Sequence, residues 1–119
     1  MTEDRVKDFK EKRASLNKTV MKYAGLNLKR FYSLDEQIYR DGSLPTRVKE
    51  LLGLVASLVL RCDDCVLYHL YRCHDIKVSN EEIEEALTIG VAVGGSITIP
   101  HLRRAFQAWD EMNEKSGQR

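Results

Sequence analysis

Residues 46–60 read Thr-Arg-Val-Lys-Glu-Leu-Leu-Gly-Leu-Val-Ala-Ser-Leu-Val-Leu, and the fold class turns on this stretch. From Leu51 to Leu60 there is no charge, and the apolar positions run nearly all round a helix. A helix without a polar face belongs in the middle of a core or an oligomer. Crossing a bilayer takes about 20 apolar residues, so this shorter run, interrupted by Gly53 and Ser57, reads as a core helix.

Helical spacing continues on both sides. Residues 2–23 are charged, with Val6, Phe9, Arg13, Leu16 and Val20 along one narrow edge. Gly25 is expected to end that helix and Asn27 to cap the next, which carries Phe31, Leu34, Ile38 and Tyr39. Asp41-Gly42-Ser43 reads as a turn. Ser43 or Thr46 then caps the apolar helix, with Pro45 in its first turn. After Arg61, Asp63 and Asp64 are cap and first-turn residues for a helix to about Ile76. Ser79-Asn80-Glu81-Glu82 is a capping box for a fifth helix. Gly94-Gly95 breaks that helix, and Pro100 starts the last, with Leu102, Ala105, Phe106, Trp109 and Met112 in its stripe. No alternating run bounded by hairpin turns suggests a strand. The expectation is an all-α, six-helix single domain over 1–119, with residues 113–119 fraying.

Composition narrows the function. The 119 residues hold 19 basic and 18 acidic side chains, a net charge of +1. No basic stripe is interleaved with aromatics, so nucleic acid is not an expected partner. Nor is a membrane, and the mixed-charge start does not read as a secretory signal. Three cysteines is an odd count without disulfide-framework spacing. A cytoplasmic, reducing location is expected, where a Cys-x-x-Cys is more often catalytic or metal-binding than structural.

That pair is Cys62-Asp63-Asp64-Cys65, followed by His69. On a helix starting after Arg61, Cys65 lies roughly −60°, His69 roughly −20° and Cys73 roughly +20° from Cys62, with His74 on another face at roughly +120°. A dithiol beside an imidazole suits redox chemistry, in which one thiolate attacks and the second closes on the product. Zinc is the alternative, but Cys62 and Cys73 would lie roughly 16 Å apart along the axis and no second Cys-x-x-Cys exists. The cysteines and His69 can also be read as core packing. Spacing does not assign the attacking sulfur. Asp63 and Asp64 oppose a thiolate. Glu50, the only ionisable residue between Lys49 and Arg61, is either a first-turn acid favoured by the helix dipole or a desolvated carboxylate able to relay protons. Gly94-Gly95-Ser96 reads as a linker, Tyr68 and Tyr71 as packing, His101 as a surface or contact histidine, and Arg103-Arg104 as a solvated or interface pair.

Taken together, Glu50-Leu51-Leu52-(x9)-Cys62-(x2)-Cys65-(x3)-His69, Glu81-Glu82-Ile83-(x2)-Ala86-Leu87 and Val93-Gly94-Gly95 resemble the AhpD-like alkylhydroperoxidases of the carboxymuconolactone decarboxylase superfamily. The resemblance covers about residues 31–107, with 1–30 as an N-terminal helical segment. It implies an all-α domain completed by oligomerisation into trimers or hexamers. It implies a hydroperoxide reductase, reduced by a lipoyl or thioredoxin-like dithiol and coupled in some members to a peroxiredoxin. No bound cofactor or metal is expected. By position, Cys65 would attack, Cys62 would resolve, and Glu50 with His69 would relay protons. Asp64 departs from the histidine often found before the second cysteine, and an acid there would slow the attacking thiol. The rivals are a non-catalytic redox-sensing scaffold and a decarboxylase-like enzyme using Glu50 and His69 alone.

Overall fold

The computed structural model describes residues 5–117. Six α-helices follow one another: α1 Arg5–Tyr23, α2 Leu26–Ile38, α3 Thr46–Val59, α4 Asp63–Asp75, α5 Asn80–Gly94 and α6 Ile99–Ser116, with a 3-10 turn at Ser96–Thr98 before α6. Helix α3 is the hub, packed against α4 on one side and α5 on the other, and α6 closes over α4. Its inner face carries Leu54 and Leu58, both without exposed surface. Burying such a side chain stabilises by about 1.5–3 kcal/mol. Gly90 lets α5 approach α3, since a Cβ there would come within 2.8 Å of Leu58 Cδ2.

The helix starts differ from the expected caps. Gly25, not Asn27, is the N-cap of α2. Neither Ser43 nor Thr46 caps α3. Its N-cap is Pro45, and the carboxylate of Asp41 accepts the Thr46 N–H at 2.7 Å from the turn before it. That bond holds the Asp41 carboxyl below its ordinary range. Asp63 is not the cap of α4 either. The cap is Cys62, whose sulfur accepts the Cys65 N–H at 3.3 Å. The capping box of α5 forms as read, with Ser79 Oγ accepting the Glu82 N–H at 3.1 Å and Glu82 accepting the Ser79 N–H at 2.9 Å. Residues 113–116 do not fray. They continue α6, because Asn113 Nδ2 and Trp109 Nε1 both donate to Asn80 Oδ1. Residues 118–119 of the expected tail lie outside the described residues.

The apolar face of α3 is not wholly covered, since Leu52 remains exposed, and Leu60 just beyond the helix end is exposed too. Helix α2 buries none of its residues. Its Leu26, Phe31, Leu34 and Ile38 all face outward. Two ties restrain it. Lys49 Nζ donates to the carbonyls of Ile38 and Arg40 at 2.8 Å each, and Tyr32 Oη to Asn17 at 3.3 Å. The radius of gyration is 15.0 Å, against about 13.5 Å for a compact chain of this length. The excess fits a helix that stands off the bundle.

Candidate functional site

The junction between α3 and α4 places the thiol pair. Arg61 adopts a left-handed backbone (φ 59°). The Cys62 N–H reaches the Ser57 carbonyl at 3.1 Å, and the Arg61 N–H reaches that of Leu58 at 2.9 Å. This is the Schellman closure of a helix C-terminus. Cys62 therefore completes α3 and caps α4 at once, with no loop between them. The cap sets Cys62 and Cys65 with Cα atoms 5.3 Å apart, joined as a disulfide. Cys65 is exposed, and Cys62 is half-buried.

One turn further along α4, His69 is buried. Its Nδ1 lies 2.8 Å from Glu50 Oε1. A carboxylate only accepts, so Nδ1–H donates. Glu50 is 1% exposed, so the fifth residue of α3 is no surface acid. A buried carboxylate is costly unless paired. Besides His69, Arg72 Nε stands 3.5 Å from Glu50 Oε2, close enough for an ion pair. Helix α4 thus presents two partners, at i and i+3, to one carboxylate of α3.

The imidazole is walled by Tyr39 and Tyr68, with ring centroids 5.3 and 5.2 Å away. Beneath it lies Gly53, where a Cβ would come within 2.6–2.7 Å of Cε1 and Nε2. Helix α1 braces the wall: the Arg13 guanidinium lies 4.1 Å from the Tyr68 ring centroid, and Lys10 Nζ 4.5 Å from that of Tyr71. Burial raises the phenol pKa of Tyr39 and Tyr68, so both stay protonated at neutral pH.

Cys65 and His69 line one cavity of about 560 Å³ with Phe9, Leu16, Tyr39 and Tyr68, and with Lys12 and Arg13 from α1. Asp64 lines it too. A second cavity of about 660 Å³ reaches Glu50 and Arg72 and shares Arg13, Asp35, Tyr39 and Tyr68 with the first. The Glu50–His69 bond therefore links two openings, only one of which holds the thiol.

The other singled-out residues fall elsewhere. Cys73 continues the stripe inward, is fully buried, and has its thiol pushed up to about 12 by burial first and then by Glu50. His74 packs edge-on against Trp109. Gly94 and Gly95 join α5 to the 3-10 turn. His101 and Arg104 both contact Asp63. Among the described residues, no group of three or more His, Cys, Asp or Glu side chains is arranged to hold a metal ion. No helix of the described residues is long and apolar enough to cross a membrane. The sequence reading gave Gly53, Tyr39 and Arg72 no part in the site. Gly53 carried a signal, since a glycine inside an apolar helix costs about 1 kcal/mol and calls for a close approach to justify it.

Known proteins share this fold. A Thermotoga maritima protein, TM1620, is 54% identical, with a TM-score of 0.91 over 93% of this chain and 97% of that one. It has been described as a carboxymuconolactone decarboxylase family protein with a suggested part in the antioxidative response. A family protein from Legionella pneumophila, at 22% identity and a TM-score of 0.84 over 92% of this chain and 98% of that one, shares the fold. An uncharacterized Cupriavidus necator protein is 34% identical over 74 residues, which are 62% of this chain and 66% of that protein. The carboxymuconolactone decarboxylase family model matches residues 25–110, from the start of α2 to the last turns of α6, and the chain belongs to that family.

Proposed function

We propose that this protein is an AhpD-like thiol peroxidase, reducing hydroperoxides at the Cys62–Cys65 pair. The observation that carries the reading is the disulfide at the rim of a cavity whose wall holds a histidine bonded to a buried glutamate. Family membership and the suggested antioxidative role of TM1620 agree with it.

The Cys65 thiolate attacks the distal oxygen of a hydroperoxide, the O–O bond breaks, and the alkoxide leaves as an alcohol with a proton delivered through His69. Cys65 is now a sulfenic acid. Cys62 attacks its sulfur, the S–S bond forms, and water leaves. An external dithiol then reduces the disulfide and is itself oxidised. Exposure favours Cys65 as the sulfur an outside dithiol reaches, and Cys62 is then the leaving thiolate. Its place as N-cap suits that part, since the Cys65 N–H and the helix dipole stabilise negative charge there. Glu50 orients His69 and opens on the second cavity, a route for protons that does not pass the substrate. The Phe9, Leu16, Tyr39 and Tyr68 side chains on the thiol cavity favour an organic hydroperoxide over hydrogen peroxide.

The same reading includes self-assembly. The exposed apolar residues of α2, with Leu52 of α3 and Ile89 and Val93 of α5, form surface that a lone domain rarely leaves wet. Sedimentation should show a homo-oligomer, and a monomer at micromolar concentration would remove this part of the proposal.

The test is peroxide consumption by the reduced protein with cumene hydroperoxide and dihydrolipoamide. Turnover is expected to vanish in Cys65→Ser and to stop after one event in Cys62→Ser. Full activity in both variants, or none in the wild type with lipoyl and thioredoxin-like donors, would sink the reading. In the latter case a reversible disulfide without turnover would identify a redox sensor.

A further inference from the structure

Two acids open α4 beside the dithiol, and the fold treats them differently. Asp63 has both carboxylate oxygens engaged by α6: Oδ1 lies 2.7 Å from His101 Nδ1, and Oδ2 accepts from Arg104 Nε at 2.9 Å. The proton between Oδ1 and the imidazole belongs to Nδ1, since an ionised carboxylate has none to give. Arg104 Nη2 stands 3.2 Å from that nitrogen, so guanidinium and imidazole approach the acid side by side. His101 and Arg104 are i and i+3 on α6, and this spacing lets one helix grip both oxygens. Asp64 lies on the Cys65 cavity and also on the groove between α1, α4 and α6 that holds this cluster. The other charged groups on that groove are Arg5 and Glu111, themselves 3.6 Å apart.

We infer that His101 and Arg104 are positioning residues for the dithiol, neutralising Asp63 and pinning the first turn of α4 to α6. The inference rests on the redox reading of the pair. A thiolate at a helix N-terminus gains from the dipole and loses to each uncompensated carboxylate nearby. Asp63 adjoins Cys62 and lies two residues before Cys65, within reach of both sulfurs' field. With the Asp63 charge matched by Arg104, one acid of the turn, Asp64, is left beside the thiols, on a cavity it shares with Lys12, Arg13 and Asp35. The clamp also fixes the α4 N-terminus, whose N–H groups supply the stabilisation.

Alkylation of the reduced, full-length protein by iodoacetamide tests this without peroxide, with mass spectrometry assigning the adduct to Cys62 or Cys65. Arg104→Gln should slow alkylation at pH 7 by about two- to fourfold, moving the pH profile upward, and 1 M salt should shrink the difference. Arg104→Lys should keep most of the wild-type rate. Adding Asp63→Asn to Arg104→Gln should return the rate to the wild-type value or above, a rescue that a merely structural contact would not give. Superimposed pH profiles for wild type and Arg104→Gln, or failure of Asp63→Asn to rescue, would overturn the inference. Because no peroxide is used, a charge effect on alkylation in a protein that turns over no hydroperoxide would sink the peroxidase reading while leaving this one standing.

Discussion

Cys65 and Cys73 lie eight residues apart on α4, and only Cys65 meets solvent. Both ends of the helix are bounded by the same turn. Arg61 before α4 and Lys77 after it take left-handed backbones, and each closes the preceding helix with a Schellman pair. At the first end the chain caps α4 with a sulfur and leaves the thiol pair at a cavity rim. At the second end Cys73 gives its carbonyl to the Val78 N–H at 3.0 Å while its side chain joins the core with Leu58, Leu70 and Ile83. Depth along one helix, not residue type, separates a sulfur open to solvent from one sealed in the core.

The largest effect that comparison forecasts is in labelling. With its thiol pushed up to about 12, Cys73 holds roughly one part in 10⁵ as thiolate at neutral pH. In the reduced native protein, iodoacetamide should modify the dithiol at least about a thousandfold faster than Cys73. Cys73 should label only when urea unfolds the chain. Comparable native rates at Cys65 and Cys73 would end the contrast.

Gly53→Ala sharpens the exposed side of the comparison. The new Cβ would occupy space the His69 ring already fills, at 2.6–2.7 Å. The imidazole must swing, and the bond to Glu50 is lost or bent. Under the proposed cycle, peroxide turnover should fall about tenfold or more, since a relay through His69 would depend on its position. Overpacking should lower stability by roughly 1–3 kcal/mol, read from the urea midpoint. Retained turnover would mean that the placement of His69 is not what the dithiol needs.

How much of this was legible beforehand depends on what each residue answers to. The number of helices, the apolar hub and the capping box were readable, because they follow from local spacing and from side chains that bond within three residues. The starts of α2, α3 and α4 were not. Gly25 and Pro45 cap by backbone conformation, Asp41 reaches five residues forward, and Cys62 caps with sulfur, a weak acceptor that oxygen-based rules pass over. At the site, the pairing of Glu50 with His69 followed from the family resemblance. Spacing alone left Glu50 between a helix-dipole acid and a desolvated carboxylate, because its depth depends on how α4 lies across α3. Tyr39 was out of reach for the same reason: it touches His69 only through the packing of the segment after α2. His101 was read as a surface or contact histidine and Arg104 as half of a solvated or interface pair, and their partner Asp63 is 38 and 41 residues away in sequence.

On the sealed side, Cys73→Ala and Cys73→Ser form a pair. Alanine should cost little beyond the lost sulfur contacts. Serine puts a hydroxyl where the side chain has no surface, and should be less stable than alanine by about 1–2 kcal/mol in urea unfolding. Both variants should keep the wild-type rate of dithiol alkylation, because Cys73 serves packing alone. A change in that rate would couple the two ends of α4 and weaken the division between them.

The two junctions can be compared directly. A left-handed backbone costs an L-residue roughly 1–2 kcal/mol, and glycine relieves it while adding freedom to the unfolded chain. Lys77→Gly and Arg61→Gly should each raise stability by about 0.5 kcal/mol. If Arg61→Gly also leaves alkylation of the dithiol unchanged, Arg61 shapes only the backbone. If it alone lowers that rate, the guanidinium beside Cys62 acts on the thiols, and the two turns differ in more than position.

The smallest forecast concerns the ion pair that ties α3 to the helix following the sealed end. Arg47 Nε donates to Glu82 Oε2 at 3.0 Å, and its Nη2 also contacts Oε1, while Ser79 supplies the capping-box bond. Arg47 first, and then the Ser79 N–H, hold the Glu82 carboxyl down at about 2 from an ordinary value of 4.5. A carboxyl whose folded pKa is depressed contributes stability that is complete above the unfolded value and is lost as pH falls through the folded one. Arg47→Met should therefore destabilise the protein at pH 6, by a small amount because both side chains are half-exposed. The gap to wild type should narrow below pH 4.5 and close near pH 2, as Glu82 protonates in both proteins. Thermal unfolding across that range measures it. A gap that stays constant with pH would show that Arg47 stabilises through the packing of its stem, leaving the capping box alone to set the Glu82 carboxyl.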